Sequence, residues 1–100
     1  MKKRFVIAVE DLTTQETQEI SDFFKGSYGW WHWIEGFWLI SDPRGELTAA
    51  EIRDIIGDIA PKKRCMVLQI KQVGGWAGFG PSNPSKDMFK WIRETWSPKE

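Results

Sequence analysis

Two adjacent carboxylates, Glu10 and Asp11, are the residues whose type and spacing best suit binding of a metal ion. They directly follow an apolar run at residues 5–9, which has the composition of a strand buried on both faces. Hard divalent cations prefer oxygen ligands, and such a cation could activate water for phosphodiester cleavage. A simpler interpretation is that Asp11 caps the first helix or its loop, with the basic residues 62–64 as salt partners.

His32 is the only histidine of the chain. In an extended strand it alternates with Trp31 and Trp33, so its side chain faces away from both. A functional histidine there would serve as a general base or as a ring on which a base stacks. We favour the alternative, a polar residue of the sheet face that pairs across to a neighbouring strand, because no nucleophile signature accompanies it.

Tryptophan is in excess, and four of the seven lie within residues 29–41, at Trp30, Trp31, Trp33 and Trp38. Exposed rings could stack on bases or anchor a protein partner. Burying one aromatic side chain is worth roughly 2–3 kcal/mol, so exposing several would be costly. We therefore expect these four residues at a core and homodimer interface, where the C-terminal segment or a second copy covers the sheet face that the helices leave open.

The elements that must position these residues alternate between strand and helix patterns. The tryptophan-rich stretch predicts a β-hairpin that turns at residues 35–36, since glycine permits the positive φ of a tight turn. Capping boxes begin two helices at Thr13 and Thr48, where threonine precedes glutamate by three residues. Pro61 ends the second helix, and residues 65–71 predict another strand.

The C-terminal quarter of the chain breaks this alternation. Glycine and proline dominate residues 74–84, which predicts a loop that Trp76 and Phe79 pin to the body of the protein. Ser85 can cap a last helix. The order β-α-β-β-α-β, followed by an extra C-terminal loop and helix, is the ferredoxin-like arrangement. The fold class is therefore α+β, in a single domain spanning residues 1–100.

This arrangement leads to one spatial expectation about the carboxylates. We expect the first and third strands to run parallel, with the second and fourth opposite. The carboxyl end of the first strand would then lie near Trp30, Asp42 and Arg64. Glu10 and Asp11 would share that end of the sheet with Asp42 and the basic loop at residues 62–64.

Composition narrows the function classes. The 14 Lys and Arg residues balance the 14 Asp and Glu residues, so the strongly basic surface of a dedicated nucleic-acid binder is missing. A lone cysteine cannot form an internal disulfide and suggests a reducing compartment. The N-terminal apolar run is too short for a signal peptide, and no stretch approaches the ~20 apolar residues of a membrane span. We expect a cytoplasmic protein.

The strand-end aspartate, the element order and the chain length resemble the small CRISPR-adaptation proteins. That family partners the integrase in spacer capture and is often described as a metal-dependent endoribonuclease. A closer resemblance is to short bacterial and phage proteins often labelled SinR-like, which share the fold. The segments WHWIE with FWLI (31–40), LTAAEIRD (47–54) and WAGFG (76–80) carry this resemblance.

The resemblance has consequences for the site and for assembly. In the adaptation family an aspartate at the end of the first strand is the proposed metal ligand, and two copies meet across a dimer axis. Asp11 matches that position and would be the catalytic residue, holding Mg²⁺ or Mn²⁺ together with Glu10. Glu10 itself departs from the family pattern, which tends to have an aromatic residue there.

Three functions are compatible with the sequence. We favour a small dimeric ferredoxin-like interaction protein, phage-derived and acting on a host or defence system, with no enzyme activity or cofactor. The second is a metal-dependent endonuclease with Asp11 as ligand. The third is non-catalytic nucleic-acid binding through the aromatic residues and residues 62–64, with an affinity that falls steeply with salt.

Overall fold

Two capping boxes begin the two main helices of the protein, in a computed structural model that describes residues 1–98. Thr13 and Thr48 each accept a hydrogen bond from the backbone N–H of the glutamate three residues on, and that glutamate's side chain accepts from the threonine N–H. Both predicted helix starts are therefore confirmed. The main elements are β1 Lys3–Val9, α1 Thr14–Phe24, β2 Gly29–Ile34, β3 Phe37–Asp42, α2 Ala49–Ile59 and β4 Cys65–Ile70.

A two-residue turn joins β2 and β3, as the sequence predicts. Gly36 has a φ of +67°, and its carbonyl accepts a 2.7 Å hydrogen bond from the N–H of Val9. A Cβ at this glycine would lie 2.2 Å from the Val9 carbonyl oxygen. Position 36 therefore needs glycine both for its backbone angle and for the close approach of β1.

The four long strands form one antiparallel sheet in the order β2-β3-β1-β4. With two helices this makes an α+β protein, and the α+β class is confirmed. The expected strand directions were wrong, because β1 is antiparallel to β3 and also to β4. The tight turn forces β3 to run opposite to β2, and since β3 lies between β2 and β1, those two strands run in the same direction.

One face of the sheet, the inner face, packs against α1 and α2. The side chains of alternate residues on β1 and β3 meet the apolar stripes of both helices there. The buried members of this core are Phe5, Ile7, Val9, Ile20, Phe24, Trp38, Ile40, Leu47, Ile52 and Ile56. Because β1 is a central strand with pairing partners on both sides, its inner-facing residues Phe5 and Ile7 are fully buried.

The C-terminal segment packs on the other face, which we call the outer face. The buried residues of the outer face are Trp31 and Leu39 of the sheet and Met88, Ile92 and Trp96 of the C-terminal segment. The indole N–H of Trp31 donates to the Met88 carbonyl at 2.6 Å, and that of Trp96 donates to the Ile40 carbonyl at 3.2 Å. The protein's own tail thus supplies a second layer over β2 and β3.

The tail is less helical than its sequence suggests. Residues 74–81 form a loop, and the short strands β5 Ser82–Asn83 and β6 Lys86–Asp87 pair with each other. The π-helix Ile92–Trp96 follows. Ser85 lies in the tight turn between the short strands, where its N–H and hydroxyl donate to the Asn83 side chain. It therefore does not cap the last helix.

Candidate functional site

An open groove of about 800 Å³ lies on the inner face, between α1 and the end of β2. Four residues that the sequence singled out line it together: Glu10, Asp11, Trp30 and His32. Because β1 and β2 run parallel, their carboxyl ends lie at the same end of the sheet, and α1 begins just beyond that end. The remaining lining residues are Val9, Leu12, Thr14, Thr17, Gln18, Ser21, Lys25, Glu35 and Gly36.

Glu10 is held by Arg64 at the rim of this groove. Its carboxylate accepts from the Arg64 side chain through Nε at 2.8 Å and Nη2 at 2.7 Å, and from the Arg64 backbone N–H at 2.8 Å. These hydrogen bonds lower the pKa of Glu10 to about 2, and those from the Arg64 side chain contribute most. The carboxylate therefore stays charged, with most of its accepting capacity directed at one cation.

Asp11 pairs with the same basic loop in a looser way. The Lys63 ammonium donates to the Asp11 backbone carbonyl at 2.6 Å and lies 3.6 Å from its carboxylate. The Asp11 side chain is 93% exposed, and its φ of +43° is uncommon for a residue other than glycine. The pairing matches the salt-partner interpretation, while the metal-ligand role of Asp11 and Glu10 stays a prediction.

The expected third carboxylate is elsewhere. Asp42 pairs with Lys3 at the opposite end of the sheet, because β3 runs against β1. Its buried carboxylate accepts from the backbone N–H of Leu47 at 2.8 Å and of Arg44 at 3.1 Å. Within residues 1–98, no three His, Cys, Asp or Glu side chains converge in a way that could hold a metal ion.

His32 faces the helix side of the sheet, opposite to Trp31, as the alternation predicts. Its ring stacks on buried Trp38, with 4.1 Å between ring centroids and 9° between planes. Its Nδ1 lies 2.8 Å from the Phe37 carbonyl oxygen of the neighbouring strand. This is the cross-strand pairing that we favoured for His32, and it fixes the ring at the groove.

The four tryptophans predicted at an interface have different environments. Trp38 lies in the inner core and Trp31 beneath the tail, both buried. Trp30 is half-buried and lines the groove, whereas Trp33 is 42% exposed. Intrachain packing therefore occupies Trp31 and Trp38, and Trp33 has the largest surface of the four for contact with another molecule.

Sequence reasoning missed an exposed apolar surface on the outer face, which we call the β4 patch. It consists of Met66 and Leu68, which are 61% and 51% exposed, and of exposed Ala8, which pairs with Met66 across the strands. The usable signal was that β4 has apolar residues on both faces. The inner-facing residue Val67 packs against the core, so the apolar residues on the other face of β4 require a separate covering layer, which reaches Ile70.

The glycine-rich loop also differs from expectation at one residue. Trp76 does pin the loop, because its indole N–H donates to the Ser97 hydroxyl at 3.0 Å. Phe79 is completely exposed. A Cβ at Gly78 would lie 2.4 Å from the Phe89 ring, and one at Gly80 would lie 2.3 Å from the Met88 sulfur. The loop therefore approaches the tail closely at Gly78 and Gly80, and not through the Phe79 side chain.

Comparison with known proteins identifies no relative of this chain. No protein-family model matches the chain, and searches of curated proteins and of solved structures give no significant match. Among residues 1–98, no helix has the length and apolar character needed to cross a membrane.

Proposed function

We propose that this chain is a small dimeric interaction protein with a ferredoxin-like fold. The element order and the strand order β2-β3-β1-β4 support that fold. The observation that carries the function is the β4 patch, because it lies on a strand at the edge of the sheet. Exposed apolar surface of this kind marks sites of protein interaction.

The occupant that best suits this edge is a second copy of the chain. β4 pairs with β1 on one side only, so the backbone groups along its other side are available for another strand. Antiparallel pairing of two identical edges about a two-fold axis is self-complementary. It would join two sheets into one and bring Met66 and Leu68 of both copies together.

The other edge of the sheet is less suitable for this pairing. The pairing of β2 with β3 shifts register between Trp31 and Ile34, and such bulges distort an edge and discourage further strand addition. The six residues Cys65–Ile70 of β4 pair with β1 in a continuous register and carry no charged side chain. Neither edge strand has an Asp, Glu, Lys or Arg side chain, so the uninterrupted register is what distinguishes β4 from β2.

Basic residues flank β4 at both ends, at 62–64 and at Lys71. In an antiparallel dimer the basic end of one strand approaches Lys71 of the other, so like charges meet. The pairing of Lys63 and Arg64 with Asp11 and Glu10 limits this repulsion. We therefore expect added salt to strengthen the dimer, whereas it would weaken nucleic-acid binding.

Sedimentation equilibrium tests the proposal with two matched variants. Leu68→Lys places a charge in the β4 patch, and Ile34→Lys does the same at a 50% exposed position on the β2 edge. We expect the wild type and Ile34→Lys to dimerise and Leu68→Lys to sediment as a folded monomer. A monomeric wild type, or a dimer indifferent to Leu68→Lys, would reject the β4 interface.

The backbone of Asp11 favours a metal-dependent nuclease as the second candidate. Non-glycine residues with positive φ cluster at functional sites, and Asp11 has a φ of +43° and lines the groove. The test is cleavage of RNA and DNA with Mg²⁺ or Mn²⁺ by the wild type and by Asp11→Asn. Activity lost in the variant supports a ligand role, and activity equal in both proteins excludes it.

A role against a host or defence system has its support in the resemblance to phage and CRISPR-adaptation proteins. The proposal is that the dimer presents a composite surface to a host protein. Phe79 is the best-placed anchor for such a partner, since the glycines beside it pack closely while its ring is fully exposed. Aromatic residues, phenylalanine among them, are enriched at protein–protein interfaces.

A further inference from the structure

Two aromatic residues form the floor of the groove between α1 and β2. Trp30 and His32 are two positions apart on β2, so they project to the same face of the sheet. The His32 ring lies parallel to the buried Trp38 ring, which covers one of its faces. His32 is partly exposed and lines the groove. A flat surface of this kind suits stacking by another planar ring.

The His32 ring is fixed before any ligand arrives. A carbonyl oxygen only accepts, so Nδ1 carries the hydrogen in its 2.8 Å contact with the Phe37 carbonyl. In the corresponding neutral tautomer Nε2 is an acceptor. The stack on Trp38 restricts the same ring from below. A ligand that stacks on His32 therefore loses little free energy to ordering the side chain.

The helix wall of the groove supplies uncharged hydrogen-bonding groups. Thr14, Thr17 and Gln18 of α1 line it. The Gln18 amide donates to the Asp22 carboxylate at 2.8 Å, which leaves the Gln18 carbonyl oxygen as an acceptor. Hydroxyl and amide groups that converge on an aromatic floor can pair with the ring nitrogens and exocyclic groups of a heterocycle.

The charges at the ends of the groove disfavour an anionic ligand. Exposed Asp11 and Glu35 lie at the end formed by the β1 loop and the hairpin turn. Lys25, at the opposite side, is already paired with Asp22 at 3.1 Å. A phosphate in the groove would meet the Glu35 carboxylate, while the nearby cations Lys25, Lys63 and Arg64 are already paired with Asp22, Asp11 and Glu10. We propose that this groove binds an uncharged planar heterocycle, a nucleobase or its nucleoside, by stacking on His32 and Trp30.

This proposal is independent of the dimer, because the groove is on the inner face and the β4 patch is on the outer face. Adenosine and adenosine 5′-monophosphate serve as probes, with binding followed by NMR through the Trp30 indole N–H and the β2 amides. We expect saturable shifts confined to the groove and weaker binding of the monophosphate at low salt. His32→Ala should weaken adenosine binding about tenfold, the order expected for one lost stacking contact.

Two further variants keep the test decisive. His32→Phe retains a flat ring and should retain most of the affinity, even if His32→Ala proves unstable. Met66→Gln, on the outer face, should bind as the wild type does. The absence of saturable shifts at millimolar adenosine, shifts outside the groove, or tighter binding of the monophosphate would each overturn the proposal.

Discussion

The two faces of the sheet are covered by different means and to different extents. On the inner face two capped helices enclose the side chains of β1 so closely that Ile7 is fully buried. Its neighbour Ala8, on the outer face, is exposed. The tail covers β2 and β3 with Met88, Ile92 and Trp96 but leaves Met66 and Leu68 of β4 open. The comparison teaches that the second layer is partial, and the uncovered part is the surface where we propose that another molecule binds.

The largest expected effect tests the inner face. Trp38→Ala removes a fully buried ring, its stack with His32 and its 3.4 Å hydrogen bond to Ser21. Large-to-small changes of this kind cost about 3–5 kcal/mol, which the free energy of unfolding in denaturant would measure. Trp33→Ala, at an exposed position, is the control and should cost far less. Equal costs for the two would remove the distinction between core and surface tryptophan.

Trp96→Ala tests the outer face and should have a smaller and more local effect. Its ring is buried under the tail and its indole donates to the Ile40 carbonyl, so the loss should fall near the lower end of the same range of about 3–5 kcal/mol. Native-state hydrogen exchange should show the tail opening while β1 amides stay protected. Simultaneous loss of protection in β1 and the tail would mean that the two layers fold as one unit.

Two glycine substitutions contrast an open position in α2 with a closely packed position in the C-terminal loop. Gly57→Ala, inside α2 with no atom near the added Cβ, should stabilise the protein by roughly 0.5–1 kcal/mol. Gly78→Ala must displace the Phe89 ring and should destabilise it by about 1 kcal/mol. Thermal unfolding of both variants measures the signs, and a neutral Gly78→Ala would show that the loop is not packed closely on the tail.

The smallest effect concerns the ion pair at the groove rim. The pKa of Glu10 is lowered to about 2 from its usual 4.5, so its stabilising contribution is complete above pH 4.5 and is lost as the pH falls toward 2. Arg64→Gln should flatten the pH dependence of stability in that window. Arg53→Gln, which removes an exposed ion pair on α2, controls for lost surface charge. Because the Glu10 pair is also exposed, high salt should weaken the effect.

Local sequence signals predicted the elements well, because capping boxes and turn glycines act within a few residues. Thr13, Thr48 and Gly36 are examples. Strand direction and the position of Asp42 depend on how distant segments pair, and the expected parallel strands were wrong for that reason. The groove residues Glu10, Asp11, Trp30 and His32 could be named from sequence, but their convergence required the observed topology.

The tail shows a different limit of sequence reasoning. Its apolar residues predicted a regular capped helix, whereas its chain forms a short hairpin and a π-helix shaped by contacts with Trp31 and Ile40. Phe79 was expected to pack and is exposed instead, because the glycines beside it make the close contacts. Which of several apolar side chains in a loop is buried depends on tertiary packing that local patterns do not encode.

Amide hydrogen exchange of β4 at two protein concentrations tests the central claim most directly. The claim is that the uncovered outer face and edge of β4 bind a second copy. We predict that amides within Cys65–Ile70 that do not pair with β1 become slow to exchange as concentration rises, while amides of β2 do not change. Exchange of the β4 amides that is rapid at both concentrations, or protection that appears on β2 instead, would contradict it.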